Sequence, residues 1–479
     1  MTQGSQGRAD TTMPEKYHIE TVATPGRFHR LGKYGSVDWR EDCSRCTNCV
    51  KPRCLYDVYK HEGTYNRNEL SGVTPLCECK ACFSCVQGCT KGLLAVSHNP
   101  EYLALGDTYW KPDILATTWV QADTGRIPVS GAGYRGRFHG FGFDSIWTDM
   151  SEIVRPTRDG IHGREYISTM VELGPKPMRL KFSPDGKMLT PESSLIEIQL
   201  PALLDVPPWK AVAKRLAAAR TTAAKKLHTL AVVHAAEAAR LNAELLPYVV
   251  PLLKAANCGK YLDLLGKVKM AEFFDCAELA DAVAKVKAAA PKLVVAARIE
   301  LQTGSVERVV ELARGAVKVF HLCADMHGCE KSDGAAQGRH IKDVLREIHG
   351  RLVKDGLRDE VTLIVTGGIA LAEHTAKAII CGADLVGVDL PLLVALGCRV
   401  CRGAHAEGNK QHCPAEIDKA DAAYATQRMV NLMGAWHSQL LEVLGAMGIR
   451  EIRRLRGEVG RAIFMEDIER EAFSDLIRK

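Results

Sequence analysis

No stretch of the chain reaches the roughly 18 uninterrupted apolar residues that a membrane-spanning helix requires. Its opening, MTQGSQGRADTTMPEKYHIE, is polar and has no apolar segment of signal-peptide length, so a cytoplasmic protein is expected. An excess of one charge is also missing. The formal net charge of +6 is small for 479 residues and dispersed, which argues against nucleic acid as a partner and leaves an acidic protein partner open. With 46% apolar and 25% charged residues the composition is that of a globular protein with room for about two to four domains. A chain of this length in a reducing compartment has no need of disulfides, so its seventeen cysteines require another explanation.

Nine of the seventeen fall between Cys43 and Cys89, and three more between Cys398 and Cys413. The remaining Cys258, Cys276, Cys323, Cys329 and Cys381 are scattered and read as small buried hydrophobes. The first group holds two runs, CSRCTNCVKPRC (Cys43, Cys46, Cys49, Cys54) and CKACFSCVQGC (Cys79, Cys82, Cys85, Cys89). Each contains C-x2-C-x2-C, a spacing that wraps a short loop around one corner of a cubane while the fourth cysteine reaches the other cluster. Cys43, Cys46, Cys49 and Cys89 are therefore assigned to one [4Fe-4S] cluster. Cys79, Cys82, Cys85 and Cys54 are assigned to a second. The gap before Cys54 is four residues rather than three, and Leu55 and Thr90 stand where proline is usual; neither change removes a ligand. Paired zinc sites are the competing reading, but two triplets each with a distant fourth cysteine suit cubanes better than zinc knuckles. Cys77 is left over, as a spare thiol or an alternative ligand.

Such clusters conduct single electrons and need an acceptor. From about residue 229 the chain alternates apolar strands with helical stretches, among them TLAVVHA, KMAEFFD, KLVVAARI, VKVFHLCAD, VTLIVTGG and DLVGVD. Apolar strands separated by helices mean a parallel sheet covered on both faces, and five or six units in a row favour a (β/α)8 barrel. Thr366, Gly367 and Gly368 close the penultimate strand, and Gly387 and Asp389 close the last. Barrels frequently build a phosphate site there, which points to FMN in a chain that carries electrons. The glycine-rich segment from Val129, with Ser130 and Gly131, is expected to lie against a flat ligand, and Arg155, Arg158, His162 and Arg164 form a polar cluster beyond it. Arg298, at the end of an apolar strand, suits the anionic edge of reduced flavin; its alternative is an ion pair with Glu300 or another carboxylate. His327, with Asp325 beside it, follows a strand and is placed as a general acid. The Ala/Lys/Arg-rich stretch from Trp209 to about residue 246 reads as a solvated helix beside the barrel.

The order TGG, a helix ending in CGAD, a strand, then LGC, a basic residue, His and CP resembles the synthase domain of glutamate synthases. The resemblance runs through VNLMGAWHSQLLEVLGAMGIREIRRLRG and is specific over about residues 360 to 456. It implies an α/β fold: a TIM barrel that binds FMN, with a third cluster beside the flavin, a ferredoxin-like 2[4Fe-4S] domain and a C-terminal helical segment. The implied division is an N-terminal extension at 1–41, the ferredoxin-like domain at 42–95, the barrel at 96–420 with the third cluster loop at 397–414, and the helical segment at 421–479. Cys398 and Cys413 suit the outer ligands of the family's C-x5-C-x4-C spacing. Ala404 occupies the middle position and Cys401 is the obvious substitute, so [3Fe-4S] or, with His405 or His412, [4Fe-4S] remain open.

The resemblance implies electron entry from a ferredoxin or an NAD(P)H-oxidising subunit and reductive amination of 2-oxoglutarate to glutamate. Thr2 stands where a glutaminase nucleophile would be, so ammonia is expected free or from a separate glutaminase subunit, within an oligomer or complex. The segment from 170 to 290 lacks the lysine-containing glycine-rich stretch and oxo-acid site expected of such enzymes. That absence supports the alternative, an electron-transfer subunit without amino-acid chemistry. Anaerobically purified protein is expected to carry about eleven or twelve irons and one FMN, checked by iron assay and visible spectrum; zinc in place of iron would return the cysteines to zinc sites.

Overall fold

Eight segments, most of them Val-, Leu-, Ile- or Ala-rich, supply the walls of the fold: β1 Ala202–Leu204, β2 Ala231–His234, β3 Val249–Leu253, β4 Met270–Phe274, β5 Val294–Glu300, β6 Val319–Cys323, β7 Thr362–Thr366 and β8 Leu385–Val388. In this computed structural model, which describes residues 17–28, 31–39, 46, 52–55, 82–127, 140–148, 167–176, 181–189, 194–332, 338–401 and 415–477, they form a closed parallel barrel in chain order. β8 returns to β1, with Val386 opposite Ala202. The expected parallel barrel is therefore present, and Thr366 and Gly387 do close its seventh and eighth strands. β1 and β3 are additions to the strands read from the sequence.

Helices cover the outside because their apolar residues recur at the helical period. Along Ser305–Arg314 the buried apolar residues are Val306, Val309, Val310 and Ala313; along Ile341–Lys354 they are Ile341, Val344, Leu345, Ile348 and Leu352. Each fully buried side chain of this kind contributes about 1.5–3 kcal/mol. The stretch expected as one solvated helix is instead broken into Lys210–Arg215, Ala217–Lys226 and the strand β2. Ala217–Lys226 buries Ala217, Ala219, Arg220, Thr221, Ala223 and Ala224, so it is a wall of the barrel rather than a solvated neighbour.

Inside the barrel, alternate residues point inward. The lowest inward layer is apolar: Leu203, Met270, Val294, Val319, Ile364 and Leu385 pack with Val171, Leu173, Ile196 and Ile198. Those last four belong to an antiparallel hairpin, Val171–Leu173 with Ile196–Ile198, that closes the N-terminal end. Function is thereby confined to the opposite end, where the strands finish.

Before the barrel, strand Tyr34–Trp39 pairs antiparallel with Leu94–His98, joining the expected N-terminal extension to the end of the expected ferredoxin-like unit. Residues 19–27 lie between the helix Pro112–Thr124 (α1) and the long helix Ala422–Ala446 (α2). Asn431 Nδ2 donates to Val22 O at 2.7 Å and to Ala122 O at 2.9 Å, and Arg428 Nη1 donates to Thr24 O at 2.7 Å while pairing with Asp123 at 2.5 Å. Gly434 lets this segment pass, since a Cβ there would lie 2.6 Å from Thr21 Cγ2. Among the described residues no helix is long and apolar enough to cross a membrane.

Because Arg428 is 2% exposed and neutralises a buried carboxylate, Arg428→Met is expected to destabilise the protein by about 3–5 kcal/mol, measured as a lower denaturant midpoint. An unchanged midpoint would show that the segment is held some other way.

Candidate active site at the barrel mouth

Above the apolar layer, polar side chains enter the barrel interior from the end of β1 and from β4, β5, β6 and β7: Asp205, Glu272, Arg298, His321 and Thr366. Arg298 on β5 sits at the centre. Its Nη2 and Nη1 donate to the two Asp205 oxygens at 2.9 and 3.0 Å, and Nη1 donates to Glu272 Oε2 at 3.1 Å. Glu300 pairs with Lys331 instead, so the carboxylates that hold Arg298 come from just past β1 and from the middle of β4 and not from its own strand. Burial alone would raise the Asp205 carboxyl; the Arg298 guanidinium overrides burial and holds it well below the usual range. The ion pair with a carboxylate read from the sequence is thus present, with Asp205 and Glu272 in place of Glu300.

On β6, His321 Nδ1 lies 2.7 Å from Glu272 Oε1 and Nε2 lies 2.6 Å from Thr366 Oγ1. Thr366, His321 and Glu272 form a line across β7, β6 and β4, all under 5% exposed. Beside Arg298 the strand ends open into a cleft of about 400 Å³ lined by Phe274, Asp275, Gln302 and Arg308, the last held by Asp275 at 2.8 Å.

The turns after β6 and β7 meet face to face. Asp325 Oδ1 accepts from the N–H of His327 at 2.9 Å and of Cys329 at 2.7 Å, so its carboxylate caps the turn. His327 Nε2 lies 2.8 Å from Asp107 Oδ2. That hydrogen bond is the main reason the imidazole is held above its ordinary pKa, against the opposing effect of burial. Gly367 and Gly368 have φ of +104° and +69°, and a Cβ on them would lie 2.5 Å from Asp325 O and 2.7 Å from Gly328 Cα. Glycine is required by this close packing as well as by the backbone angle. Both are buried, and among the described residues neither donates its backbone N–H to an acceptor. Two adjacent buried donors without partners at a barrel's seventh strand suit a phosphate.

A loop from outside the barrel secures these turns. Tyr109 donates its hydroxyl to Gly368 O at 2.5 Å, Trp110 Nε1 donates to Met326 O at 2.7 Å, and Asp107 accepts from the N–H of Tyr109 and Trp110 at 2.8 Å while holding His327. From the side, His374 binds Asp144 at 2.9 Å and accepts from Ala370 N at 3.1 Å.

Asp389, just past β8, is of a different kind. It is 8% exposed, and Oδ1 has no hydrogen-bond partner among the described residues. Burial, with the charge of Asp205 added, pushes its carboxyl up to about 7. A carboxyl that repels anions is a poor phosphate ligand, so the residues that fit FMN phosphate are the glycines and not Asp389.

The expected cluster cysteines are described in part. Cys54 is buried, Cys46 and Cys82 are exposed, and Cys85 and Cys89 lie between. Cys89 Sγ accepts the N–H of Leu93 at 3.3 Å, and backbone N–H groups lower its thiol pKa. Cys398 is fully buried and accepts from Val400 N at 3.5 Å, with Cys401 following. Cys43, Cys49, Cys77, Cys79, Ser130, Gly131, Arg155, Arg158, His162, Arg164, Ala404, His405, His412 and Cys413 lie outside the described residues. Cys258, Cys329 and Cys381 are buried as expected, while Cys276 and Cys323 are only partly so.

Sequence reasoning passed over Asp205, Glu272, His321, Asp107 and Tyr109. Glu272 and His321 carried a usable signal, a polar residue inside an apolar strand, which is the one that singled out Arg298. Asp107 and Tyr109 carried none, since only the fold brings their loop to residues some 220 to 260 positions away.

Residues 262–450 match the conserved region in glutamate synthase. The archaeal-type glutamate synthase (NADPH) of Dehalococcoides mccartyi is 23% identical over 480 residues, covering 88% of this chain and 93% of that protein. The archaeal glutamate synthase (NADPH) of Archaeoglobus fulgidus is 23% identical over 511 residues, covering 93% and 98%. That of Methanocaldococcus jannaschii is 38% identical over 124 residues, covering 25% and 24%. Among solved structures, a flavocytochrome b2 variant with sulfite bound aligns at a TM-score of 0.40 and 12% identity, covering 66% of this chain and 89% of that one.

The unpaired Asp389 sets a stability test. Its folded pKa is raised from 3.8 to about 7, so the unfolded chain ionises first and stability is lost as pH rises through that window. Asp389→Asn is expected to leave Tm nearly unchanged at pH 4 and to raise it by ~2–4 °C or more above pH 7. Equal Tm differences at both pH values would show that the carboxyl is not held neutral.

Proposed function

Since the chain belongs to the glutamate synthase family, we propose that it is an FMN-dependent iron-sulfur oxidoreductase that converts 2-oxoglutarate and ammonia to glutamate. The observation that carries the flavin part of this reading is the pair of unpartnered, buried N–H groups at Gly367 and Gly368, which suit the FMN phosphate. Thr366 and Gly387 line the same strand ends, and Ser130 and Gly131 would contact the flavin. Cys43, Cys46, Cys49 and Cys89 would hold one [4Fe-4S] cluster, Cys79, Cys82, Cys85 and Cys54 the second, and Cys398, Cys401 and Cys413 a third of the [3Fe-4S] or [4Fe-4S] type. The N–H donors on Cys89 favour the thiolate form that ligation needs. FMN supplies hydride chemistry when bound, and the clusters supply electrons singly from a ferredoxin or an NAD(P)H-oxidising partner subunit.

His327 supplies the proton. Asp107 keeps its imidazole charged to higher pH than an ordinary histidine, so at neutral pH it can protonate the nitrogen of an imine formed from 2-oxoglutarate and ammonia. Asp325 orients the turn that presents it, and Arg298 ties together the Asp205 and Glu272 carboxylates of the barrel floor. Ammonia would come from solution or from a separate glutaminase subunit.

A second reading, an electron-transfer subunit of a larger redox complex, draws on one observation: the Arg298 charge is committed to protein carboxylates and not to an oxo acid. The deciding experiment is to reduce the cofactor-loaded protein anaerobically, add 2-oxoglutarate and ammonium, and assay glutamate. Formation of glutamate supports the synthase; a reduced flavin that ignores both substrates leaves the electron-transfer subunit. In the synthase, His327→Gln is expected to lower turnover by roughly 10²- to 10⁴-fold. The rate of the parent should fall as pH rises through the His327 pKa. Asp107→Asn removes the main cause of the raised pKa and should move that fall to lower pH; an unmoved profile would remove His327 from the acid role.

A further inference from the structure

Two polar groups of the barrel mouth have no part in holding a phosphate: the Thr366 hydroxyl and the Asp389 carboxyl. They belong to neighbouring strands. Thr366 is in register with Gly387, and a Cβ at Gly387 would lie 1.9 Å from Thr366 Oγ1, so the hydroxyl fills the space that glycine leaves. Asp389 follows Gly387 by two residues, just past the end of β8.

The hydrogen bonds below settle which way the hydroxyl faces. His321 Nδ1 is 2.7 Å from Glu272 Oε1, and a carboxylate can only accept, so Nδ1 carries the proton. Arg298 Nη1 is 3.3 Å from the same nitrogen but makes its shorter bonds to Asp205 and Glu272, at 3.0 and 3.1 Å. In a ring protonated at Nδ1 alone, His321 Nε2 is an acceptor, and at 2.6 Å it takes the Thr366 Oγ–H. With its proton directed down into the barrel, the Thr366 oxygen has only lone pairs for anything above it. Asp389 Oδ1, 8% exposed as a residue and unpartnered among the described residues, is a second acceptor. Two acceptors, one of them an ionisable carboxyl, complement a small cation rich in N–H groups.

We propose that Asp389 and Thr366 form the binding site for the nitrogen reactant, taken up as ammonium. The assignment rests on the reductive-amination reading, yet it can be tested without turnover. The groups that bear on Asp389 are Asp205, Arg298, Cys323 and Tyr109; Asp205 disfavours its ionisation and Arg298 favours it. A carboxyl that is protonated when the site is free must lose its proton to hold a cation. Ammonium uptake therefore releases about one proton per site well below pH 7 and almost none well above it.

The test is calorimetric titration of ammonium chloride into the cofactor-loaded full chain, without reductant or oxo acid, at pH 6 and pH 8 in buffers of different ionisation enthalpy. The expected result is one-site binding with proton release at pH 6 only. Asp389→Asn and Thr366→Val should each weaken it by roughly 10- to 100-fold, the loss of one hydrogen bond to a charged group. Thr366→Ser, which keeps the hydroxyl, should bind nearly as the parent does. Parent-like binding by Asp389→Asn, or no ammonium binding to the parent, overturns the proposal, and Asp389→Asn decides it should Thr366→Val not fold. If ammonium binds as expected but the reduced protein makes no glutamate, the site stands and the reductive-amination reading falls.

Discussion

One guanidinium held between two carboxylates inside a closed barrel is the constraint on which the rest of the site depends. Asp205, Glu272 and Arg298 come from β1, β4 and β5, and their bonds of 2.9 to 3.1 Å span the barrel interior. Isolated, each charge would cost several kcal/mol to bury. Together they form a floor that cannot lose one member without stranding another. His321 and Thr366 are aligned by that floor, so the geometry at the strand ends is inherited from an ion cluster one layer below.

Asp389 lies just above the floor and follows the opposite rule. Nothing among the described residues bonds its Oδ1, and the native state carries the burden as a loss of stability toward neutral pH. Asp384 shows what a purely structural carboxylate looks like in this protein: burial would raise it, but Arg358 at 2.8 Å and Arg456 at 2.6 Å satisfy it and hold it down at about 2. Retaining an unsatisfied carboxyl beside an otherwise satisfied cluster is the pattern expected where stability is traded for function.

The barrel's final strands were legible because they are long, apolar and closed by glycines. β1 was hidden by its length of three residues, and β3 by Pro251, which lowers the strand reading of VVPLL although this barrel accommodates it. Arg298 was legible as a functional position, since a charge in an apolar strand must have a partner. Its partners were not, because Asp205 and Glu272 are 93 and 26 residues away and only barrel closure brings them near. The same holds for Asp107 and Tyr109: no local pattern says that a loop ahead of the barrel will secure the turns after β6 and β7.

The segment that crosses α2 adds a constraint of time. Val22 leaves the ribosome long before Asn431, its partner 409 residues later, and at ~5–20 residues per second the wait is ~20–80 s. Throughout that interval Arg428 and Asn431 do not yet exist to receive residues 19–27, nor Arg428 to pair with Asp123. The cysteine-rich region just behind this segment is therefore synthesised well before the framework that seats its flank is complete.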